Sequence, residues 1–174
     1  SHDEYTFVHS VNVSLLVLAQ ARSFGIQGPV LHALGLAALC HDVGKLSVPL
    51  DVLKRPGKLE GEDWKVMQSH AEVGAWQLAA LDEAPPLSVV VAYEHHLRYD
   101  GQPTYPVLRR PRRPALPSQL TALADTFDAI STLRPYQAPH GRPVPLDILK
   151  KRAGTFLDPL LVGNFPRLAA AQTG

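Results

Sequence analysis

The chain has 174 residues, of which 45% are hydrophobic, and its formal net charge is +1 with neutral histidines. This length suits one compact domain with one core, and the small net charge argues against a bulk DNA- or RNA-binding protein. The single cysteine, Cys40, excludes an internal disulfide and indicates a reducing compartment, which we expect to be the cytoplasm. No stretch reaches the roughly 18 apolar residues of a membrane span.

The predicted elements are all helical, because apolar residues recur at helical spacing between prolines and strand-like alternation is absent. Pro29 suits the first turn of the second helix, and Ser118 is predicted as the N-cap of a later one. Residues 98–117, rich in Pro, Arg and Gly, are predicted to be a long loop. We predict an all-α fold with helices over residues 5–24, 30–42, 49–53, 62–81, 87–97, 118–133, 145–152 and 158–171.

Histidines and aspartates that could bind a metal lie on several of these helices. The candidates are His9, His41, Asp42, His70, His95, His96 and Asp125. Imidazole and carboxylate ligands suit Zn, Fe, Mn, Co or Ni. Adjacent residues on a helix point about 100° apart, so the His-Asp and His-His pairs fit two metals better than one. A lone histidine on an apolar helix is more often a packed core residue, and that alternative is strongest for His9 and His70.

Asp42 is the candidate that a structural role explains least well. It closes an apolar helix, where a buried carboxylate needs a charged partner, and a metal ion is the obvious one.

Six groups of segments, in order and spacing, resemble the HD-GYP family of metal-dependent phosphohydrolases. They are YTFVHS (5–10), AALCHDVGKLSVP (37–49), LKRPGKL with MQSHAEVG (53–59, 67–74), HHLRYDG with Tyr105-Pro106 (95–101), ALADTFDAIST with RPY (122–132, 134–136) and DPLLVGNF (158–165). The chain is identified as a member of that family on this match.

The resemblance implies a five-helix HD core with additional C-terminal helices. We expect residues 1–174 to form a single HD-GYP-type domain, cut from a longer regulatory protein. The resemblance also implies a reaction: a hydroxide activated by two metal ions hydrolyses the phosphodiester bonds of cyclic di-GMP, to pGpG or on to GMP. Iron or manganese is expected, with zinc, nickel and cobalt as alternatives.

The resemblance also assigns roles to individual residues. The seven candidates above become the metal ligands, and Asp42 and Lys45 become catalytic. Lys45 is expected to neutralise charge on the substrate; alternatively, it is a surface lysine at a helix end. Arg134 and Arg98 are expected to bind substrate phosphate. The motif loop is expected to comprise Asp100, Gly101, Tyr105 and Pro106.

The chain departs from the family pattern in three places. DGQPTYP (100–106) replaces the usual DG-x-GYP, and its Pro and Thr cannot take the positive φ of glycine, so the loop must follow another path. Gln137 stands where a basic residue often follows RPY. Tyr5 stands where some members carry a glutamate that binds a third metal, which predicts two metals here.

Two further functions remain open. One is hydrolysis of another cyclic nucleotide, such as cyclic GMP-AMP. The other is a catalytically weak module that binds a cyclic dinucleotide, or docks a protein partner through the 100–106 loop. Of the remaining residues, Trp64 and Trp76 are expected in the core, and Asp128 is expected to accept a hydrogen bond.

Overall fold

The computed structural model describes residues 2–133 and 144–171, with side chains described for 6–131 and 145–166. Within these ranges the chain forms helices and no strand, apart from an isolated bridge between Ala153 and Leu157. The all-α prediction is confirmed. The helices are α1 (His2–Ser23), α2 (Gly28–Leu39), a 3-10 helix (Val43–Ser47), α3 (Leu50–Leu53), α4 (Gly61–Gln68), α5 (His70–Ala79), α6 (Pro86–Glu94), α7 (Leu116–Leu133), α8 (Val144–Arg152) and α9 (Pro159–Ala171).

The main core lies between α1, α2, α7 and the C-terminal helices. Val13 and Val17 lie one turn apart on α1 and are fully buried, as is Leu120 on α7. Phe165 of α9 packs against Phe127 of α7 with 4.8 Å between ring centroids. The C-terminal helices therefore contribute to the core that supports α7. None of the described helices is both long enough and apolar enough to cross a lipid bilayer.

The predicted helix over residues 62–81 is wrong in one respect, since it divides at Ser69 into α4 and α5. The division allows the first turn of α5 to lie backbone-to-backbone against the 3-10 helix. A Cβ atom on Gly44 would lie 2.0 Å from the carbonyl oxygen of His70, and a Cβ on Gly74 would lie 2.9 Å from the amide nitrogen of Gly44. Glycine at both positions permits this approach, which brings the His41-Asp42 turn close to His70.

Three helix boundaries near the site also differ from the predictions, and one of them is the end of α6, which lies at Glu94 and not at residue 97. Helix α2 ends at Leu39, so His41 and Asp42 lie in the turn that leads into the 3-10 helix. Helix α7 begins at Leu116, so Ser118 is not its N-cap but lies in its first turn. The Ser118 hydroxyl instead donates to the buried carboxylate of Glu94 on α6 (3.0 Å).

Candidate metal centre

The histidine of the His41-Asp42 turn is oriented by the end of helix α2. The His41 side chain is fully buried, and its Nδ1 donates to the carbonyl oxygen of Ala38 at 2.7 Å. This hydrogen bond places the proton on Nδ1, so the Nε2 lone pair points away from the helix towards Asp42. The distance from His41 Nε2 to Asp42 Oδ2 is 3.4 Å.

His70, the first residue of α5, and His95, which follows the last residue of α6, show the same pattern. His70 Nδ1 donates to the Met67 carbonyl at 2.6 Å, and His95 Nδ1 lies 3.0 Å from the Ala92 carbonyl. Both Nε2 atoms then face inward as lone pairs, 3.4 Å apart. Two lone pairs at this distance repel each other unless a proton or a cation lies between them, so the arrangement is one that a metal ion stabilises.

The carboxylate of Asp42 lies at the centre of these groups. Its Oδ1 lies 3.4 Å from His70 Nε2 and 3.7 Å from His95 Nε2. Two sets of ligand atoms form, and within each set the atoms lie within 4.8 Å of one another. One set is Asp42, His70, His95 and His96; the other is His9, His41 and Asp42. Asp42 therefore belongs to both sets, with Oδ2 beside His41 Nε2 and Oδ1 beside the Nε2 atoms of His70 and His95.

Two buried atoms of this site have no hydrogen-bond partner among the described residues. They are His41 Nε2 and Asp42 Oδ1, and both point into the sets just described. Leaving a buried polar atom unsatisfied costs about 1–3 kcal/mol, and more for a charged group. The donor chemistry and these unsatisfied atoms fit divalent transition metals, so the residues form a site that could hold metal.

The electrostatics of the site keep His70 and His96 neutral and Asp42 ionised. Burial lowers the pKa of His41, but the neighbouring charge of Asp42 outweighs it and raises this pKa. Burial lowers the pKa of His70 to about 4, and burial with the neighbouring His95 holds the pKa of His96 well below its usual value. Burial alone would raise the pKa of Asp42, but the charges of His41 and Lys45 outweigh it and hold this pKa well below the usual range. Neutral imidazole and ionised carboxylate are the forms that bind metal.

His9 of α1 enters the site from the opposite side, between two carboxylates of α7. Its Nδ1 donates to Asp128 Oδ2 at 2.7 Å, and its Nε2 lies 3.2 Å from Asp125 Oδ1. Burial lowers the pKa of His9, but hydrogen bonds to Asp125 and Asp128 outweigh it and raise the pKa to about 9. Asp128 also accepts a hydrogen bond from Asn12 Nδ2 at 3.0 Å, so its carboxylate is fixed where it orients the His9 ring. The expectation that Asp128 accepts a hydrogen bond is confirmed.

The structure thus gathers the seven candidate ligands into one group, called here the ligand cluster. Metal binding by each of them stays a prediction. The ligand cluster comprises His9, His41, Asp42, His70, His95, His96 and Asp125.

Lys45 lies in the 3-10 helix beside the ligand cluster, where its Nζ donates to Asp42 Oδ2 at 2.5 Å. Arg134 falls outside the described residues, as do Gln137 and the side chain of Tyr5. The structure therefore brings Lys45 to the site, whereas the roles of the other three remain expectations.

Arg98 does not point into the ligand cluster. Its guanidinium forms a two-pronged ion pair with Asp100, at 2.9 Å from Oδ1 and 2.5 Å from Oδ2. This pairing lowers the pKa of Asp100 to about 2. Asp100 also accepts from the amide of Gln102 at 3.0 Å, so the pair shapes the motif loop.

The rest of the motif loop folds back over the histidines. Gly101 has a φ of +73°, whereas no described non-glycine residue takes a positive φ. Pro106 is buried. The Tyr105 ring lies against His96 with 4.5 Å between centroids. Tyr105 therefore forms a wall of the site.

An open cavity of about 550 Å³ lies beside the ligand cluster and is called here the lateral cavity. Three residues of the ligand cluster line this cavity: His95, His96 and Asp125. The lining residues outside the ligand cluster include Trp64, Gln68, Tyr105, Arg152 and Phe156. The expectation that both tryptophans lie in the core is wrong, since Trp64 is 41% exposed and Trp76 is 77% exposed. Trp64 packs edge-on against Tyr105 at 5.7 Å, so it is held at the cavity wall.

Glu94 is a supporting residue that the sequence analysis missed. It immediately precedes the His95-His96 pair and is 4% exposed. Its carboxylate accepts from Arg112 (2.5 Å), the Ala115 amide (2.7 Å) and Ser118. These contacts join the end of α6 to the start of α7, and so hold the His95-His96 turn. An acidic residue at the end of the apolar helix PLSVVVAYE was the available signal.

The sequence pattern of the HD domain matches residues 6–130 of the chain. The chain belongs to the HD domain family. This span contains all seven residues of the ligand cluster, together with Lys45 and the motif loop.

Two similar curated proteins narrow the family assignment. A cyclic di-GMP phosphodiesterase of Pseudomonas aeruginosa is 38% identical over 78% of this chain and 32% of its own length. A 3'3'-cGAMP-specific phosphodiesterase of Vibrio cholerae is 35% identical over 77% of this chain and 31% of its own length. The chain spans about a third of the length of these two curated relatives. The HD-GYP identification made from the motifs is confirmed.

Solved structures support the fold. An HDG"Y"P protein from Bdellovibrio bacteriovorus superposes with a TM-score of 0.69, at 22% identity, and covers 97% of this chain and 53% of its own. The HD domain of the phosphodiesterase PgpH from L. monocytogenes, in complex with cyclic-di-AMP, has a TM-score of 0.55 at 18% identity, over 93% of this chain and 79% of its own. At these identities the likeness establishes the fold alone.

Proposed function

We propose that the chain is a metal-dependent phosphodiesterase that hydrolyses cyclic di-GMP to pGpG or on to GMP. The observation that carries the proposal is the position of Asp42, which belongs to both sets of ligand atoms and has an unsatisfied buried oxygen. A site of this kind suits two divalent metals, with iron or manganese first and zinc, nickel or cobalt as alternatives.

Each residue of the ligand cluster has a place in this proposal. His70, His95 and His96 would hold one ion, His9 and His41 would hold the other, and Asp42 would serve both. Asp125, 3.2 Å from His9 Nε2, would complete the second set. The chemistry that two metals supply at such a site is polarisation of a phosphoryl oxygen and generation of a nucleophilic hydroxide near neutral pH.

The chain's own residues would orient and neutralise the substrate. Lys45 carries its positive charge beside Asp42, where it would donate a hydrogen bond to a phosphoryl oxygen or to the leaving oxygen. Burial, with the charges of Asp125 and Asp42, raises the pKa of Tyr105, so this phenol remains a hydrogen-bond donor at the cavity wall. The exposed indole of Trp64 offers a flat surface for a purine.

The relatives supply a second candidate substrate, which differs from cyclic di-GMP in one nucleotide. Three similar Vibrio cholerae proteins are named 3'3'-cGAMP-specific phosphodiesterases, at 30–35% identity. Cyclic GMP-AMP is therefore the second candidate substrate. The altered 100–106 loop supports keeping it, since Tyr105 from that loop lines the lateral cavity.

A turnover assay on the purified chain tests the proposal. The chain is stripped of metal, reloaded anaerobically with Fe²⁺ or Mn²⁺, and given cyclic di-GMP, 3'3'-cGAMP or cyclic di-AMP, with products separated by chromatography. We expect linear dinucleotide or mononucleotide from cyclic di-GMP, and none without metal. Metal-independent binding with no turnover of any of the three would overturn the proposal and favour the docking module.

A further inference from the structure

We infer that Arg152, the last residue of α8, binds the second phosphate of the substrate, the one that is not being cut. The inference rests on the proposed function, because only a substrate with two phosphodiesters has such a group. Arg152 lies outside the span 6–130 that the HD domain pattern matches. It nevertheless lines the lateral cavity together with His95 and His96 of the ligand cluster.

A tight turn after α8 fixes the backbone of Arg152. The Arg152 carbonyl accepts from the amide of Leu157 (3.1 Å) and from the hydroxyl of Thr155 (2.9 Å). The Gly154 amide donates back to the Leu157 carbonyl at 2.8 Å, with a φ of +81° that suits glycine. Leu157 is 3% exposed and belongs to the main core. The turn is therefore anchored to the core at its far end.

The same turn is joined to the loop that follows the His95-His96 pair. The amide of Tyr99 donates to the Phe156 carbonyl at 3.2 Å, and the amide of Asp100 donates to the Thr155 carbonyl at 2.9 Å. Tyr99 is three residues beyond His96, so these two bonds set the position of the turn relative to the ligand cluster. Backbone contacts with the loop that follows the His95-His96 pair thus position Arg152 at the lateral cavity.

The charges around the lateral cavity favour an anion at this position. Arg152 is the only arginine or lysine among the described residues that line the cavity, and Asp125 is the only carboxylate there. Asp125 already faces His9 at 3.2 Å. Among described residues, no carboxylate lies within ion-pair distance of Arg152, unlike Arg98 with Asp100. Its planar fork of donors can therefore serve a phosphate.

The other described arginines near the site are already engaged. Arg98 pairs with Asp100, and its guanidinium lies 4.1 Å from the centroid of the Phe156 ring, whereas that of Arg152 lies at 5.7 Å from this centroid and has no carboxylate partner among the described residues. Arg112 pairs with the buried Glu94. A cyclic dinucleotide has two phosphates on opposite sides of its ring, so a phosphate held at the ligand cluster leaves the other for a cation across the cavity. Arg152 is the described residue that meets this requirement.

Steady-state kinetics of matched variants test the inference with two substrates. Arg152→Ala is compared with Arg152→Lys and with Lys151→Ala, an exposed neighbour on α8 that does not line the lateral cavity. The substrates are cyclic di-GMP, with two phosphodiesters, and bis(p-nitrophenyl) phosphate, with one. We expect Arg152→Ala to raise KM for cyclic di-GMP about tenfold to hundredfold, with KM for the nitrophenyl ester unchanged.

The remaining variants and outcomes decide the interpretation. Arg152→Lys should recover part of the affinity, because it keeps the charge but not the fork, and Lys151→Ala should behave as wild type. An unchanged KM for cyclic di-GMP, or an equal rise for both substrates, would overturn the inference. If the wild-type chain cleaves neither substrate, the proposed function fails. In that case, calorimetry measures the affinity of the wild type and of Arg152→Ala for cyclic di-GMP. Equal affinities, or no binding to either protein, would overturn the inference about Arg152.

Discussion

The ligand cluster and the lateral cavity lie side by side but are built in different ways. In the ligand cluster, His41, His70 and His95 are each 2% exposed or less, and each donates Nδ1 to a helical carbonyl. In the lateral cavity, Trp64 and Arg152 are exposed and are positioned by packing and by backbone turns. Buried side chains fixed by hydrogen bonds are suited to catalytic chemistry, whereas exposed side chains on loops and turns are suited to substrate recognition.

This difference indicates how the two regions respond to change. A substitution in the ligand cluster leaves buried polar groups without partners, so it should affect metal content and turnover together. A substitution of a cavity residue outside the ligand cluster leaves the cluster intact, so it should alter KM and substrate choice. The predictions below test whether the two regions separate in this way.

The largest effect is expected from Asp42→Ala, which removes a carboxylate common to both ligand sets. Loss of a group that only orients a ligand costs about 10–100-fold in metal affinity or activity, so loss of a shared ligand should cost at least about 100-fold. Metal stoichiometry, turnover and thermal midpoint should be measured on one preparation, with the exposed Asp51→Ala as control. Full metal content with a large drop in thermal midpoint would assign Asp42 a purely structural role.

Gly44→Ala should damage the ligand cluster through the backbone. The new Cβ would meet the His70 carbonyl oxygen at 2.0 Å, so α5 must shift and carry His70 with it. We expect destabilisation of at least about 2 kcal/mol in denaturant unfolding, with weaker metal binding. Gly163→Ala in α9 is the matched control, since nothing lies within 4 Å of its Cβ, and it should stabilise by up to about 1 kcal/mol. Equal effects from the two variants would contradict the close approach.

Asp128→Ala should loosen one ligand while leaving the others in place. His9 loses the acceptor for its Nδ1 proton, so metal affinity or turnover should fall about 10–100-fold. Asp128→Asn keeps an acceptor oxygen and should recover part of the loss. Asn12→Ala removes only a donor to the Asp128 carboxylate and should have a smaller effect. Wild-type metal affinity in Asp128→Ala would show that the His9 ring is oriented by other contacts.

The smallest effect is expected in the lateral cavity, from Trp64→Ala. Stacking of a base on an aromatic ring contributes about 1–3 kcal/mol, so KM for the cyclic dinucleotide should rise about tenfold or more with little change in kcat. Trp64→Phe should keep most of the affinity. Trp76→Ala is the control, because Trp76 is more exposed (77%) and does not line the cavity. A fall in kcat or metal content in Trp64→Ala would mean that the two regions are not separable.

Much of the ligand cluster could be predicted from the sequence, because four of its seven residues occur as adjacent pairs just after helix ends. His41 with Asp42, and His95 with His96, are adjacent in the chain, and apolar helices on either side indicated burial. The all-α class and most helix positions followed from the spacing of apolar residues and prolines. The break at Ser69 could not be predicted in this way, because the close approach that it allows, between Gly44 and the backbone of α5, joins segments that are distant in the chain.

The lateral cavity and the supporting contacts depended on the tertiary structure. Arg152 is more than fifty residues from His96 in the sequence, and the two line one cavity because backbone bonds from Tyr99 and Asp100 hold the turn after α8. Trp64 was expected in the core because large aromatic side chains are usually buried, a tendency that carries no information about direction. The sequence by itself determined which residues could bind metal, since ligand chemistry belongs to the side chain. Which residues face the substrate was decided by the packing of segments distant in the chain, because orientation and proximity arise only when the core forms.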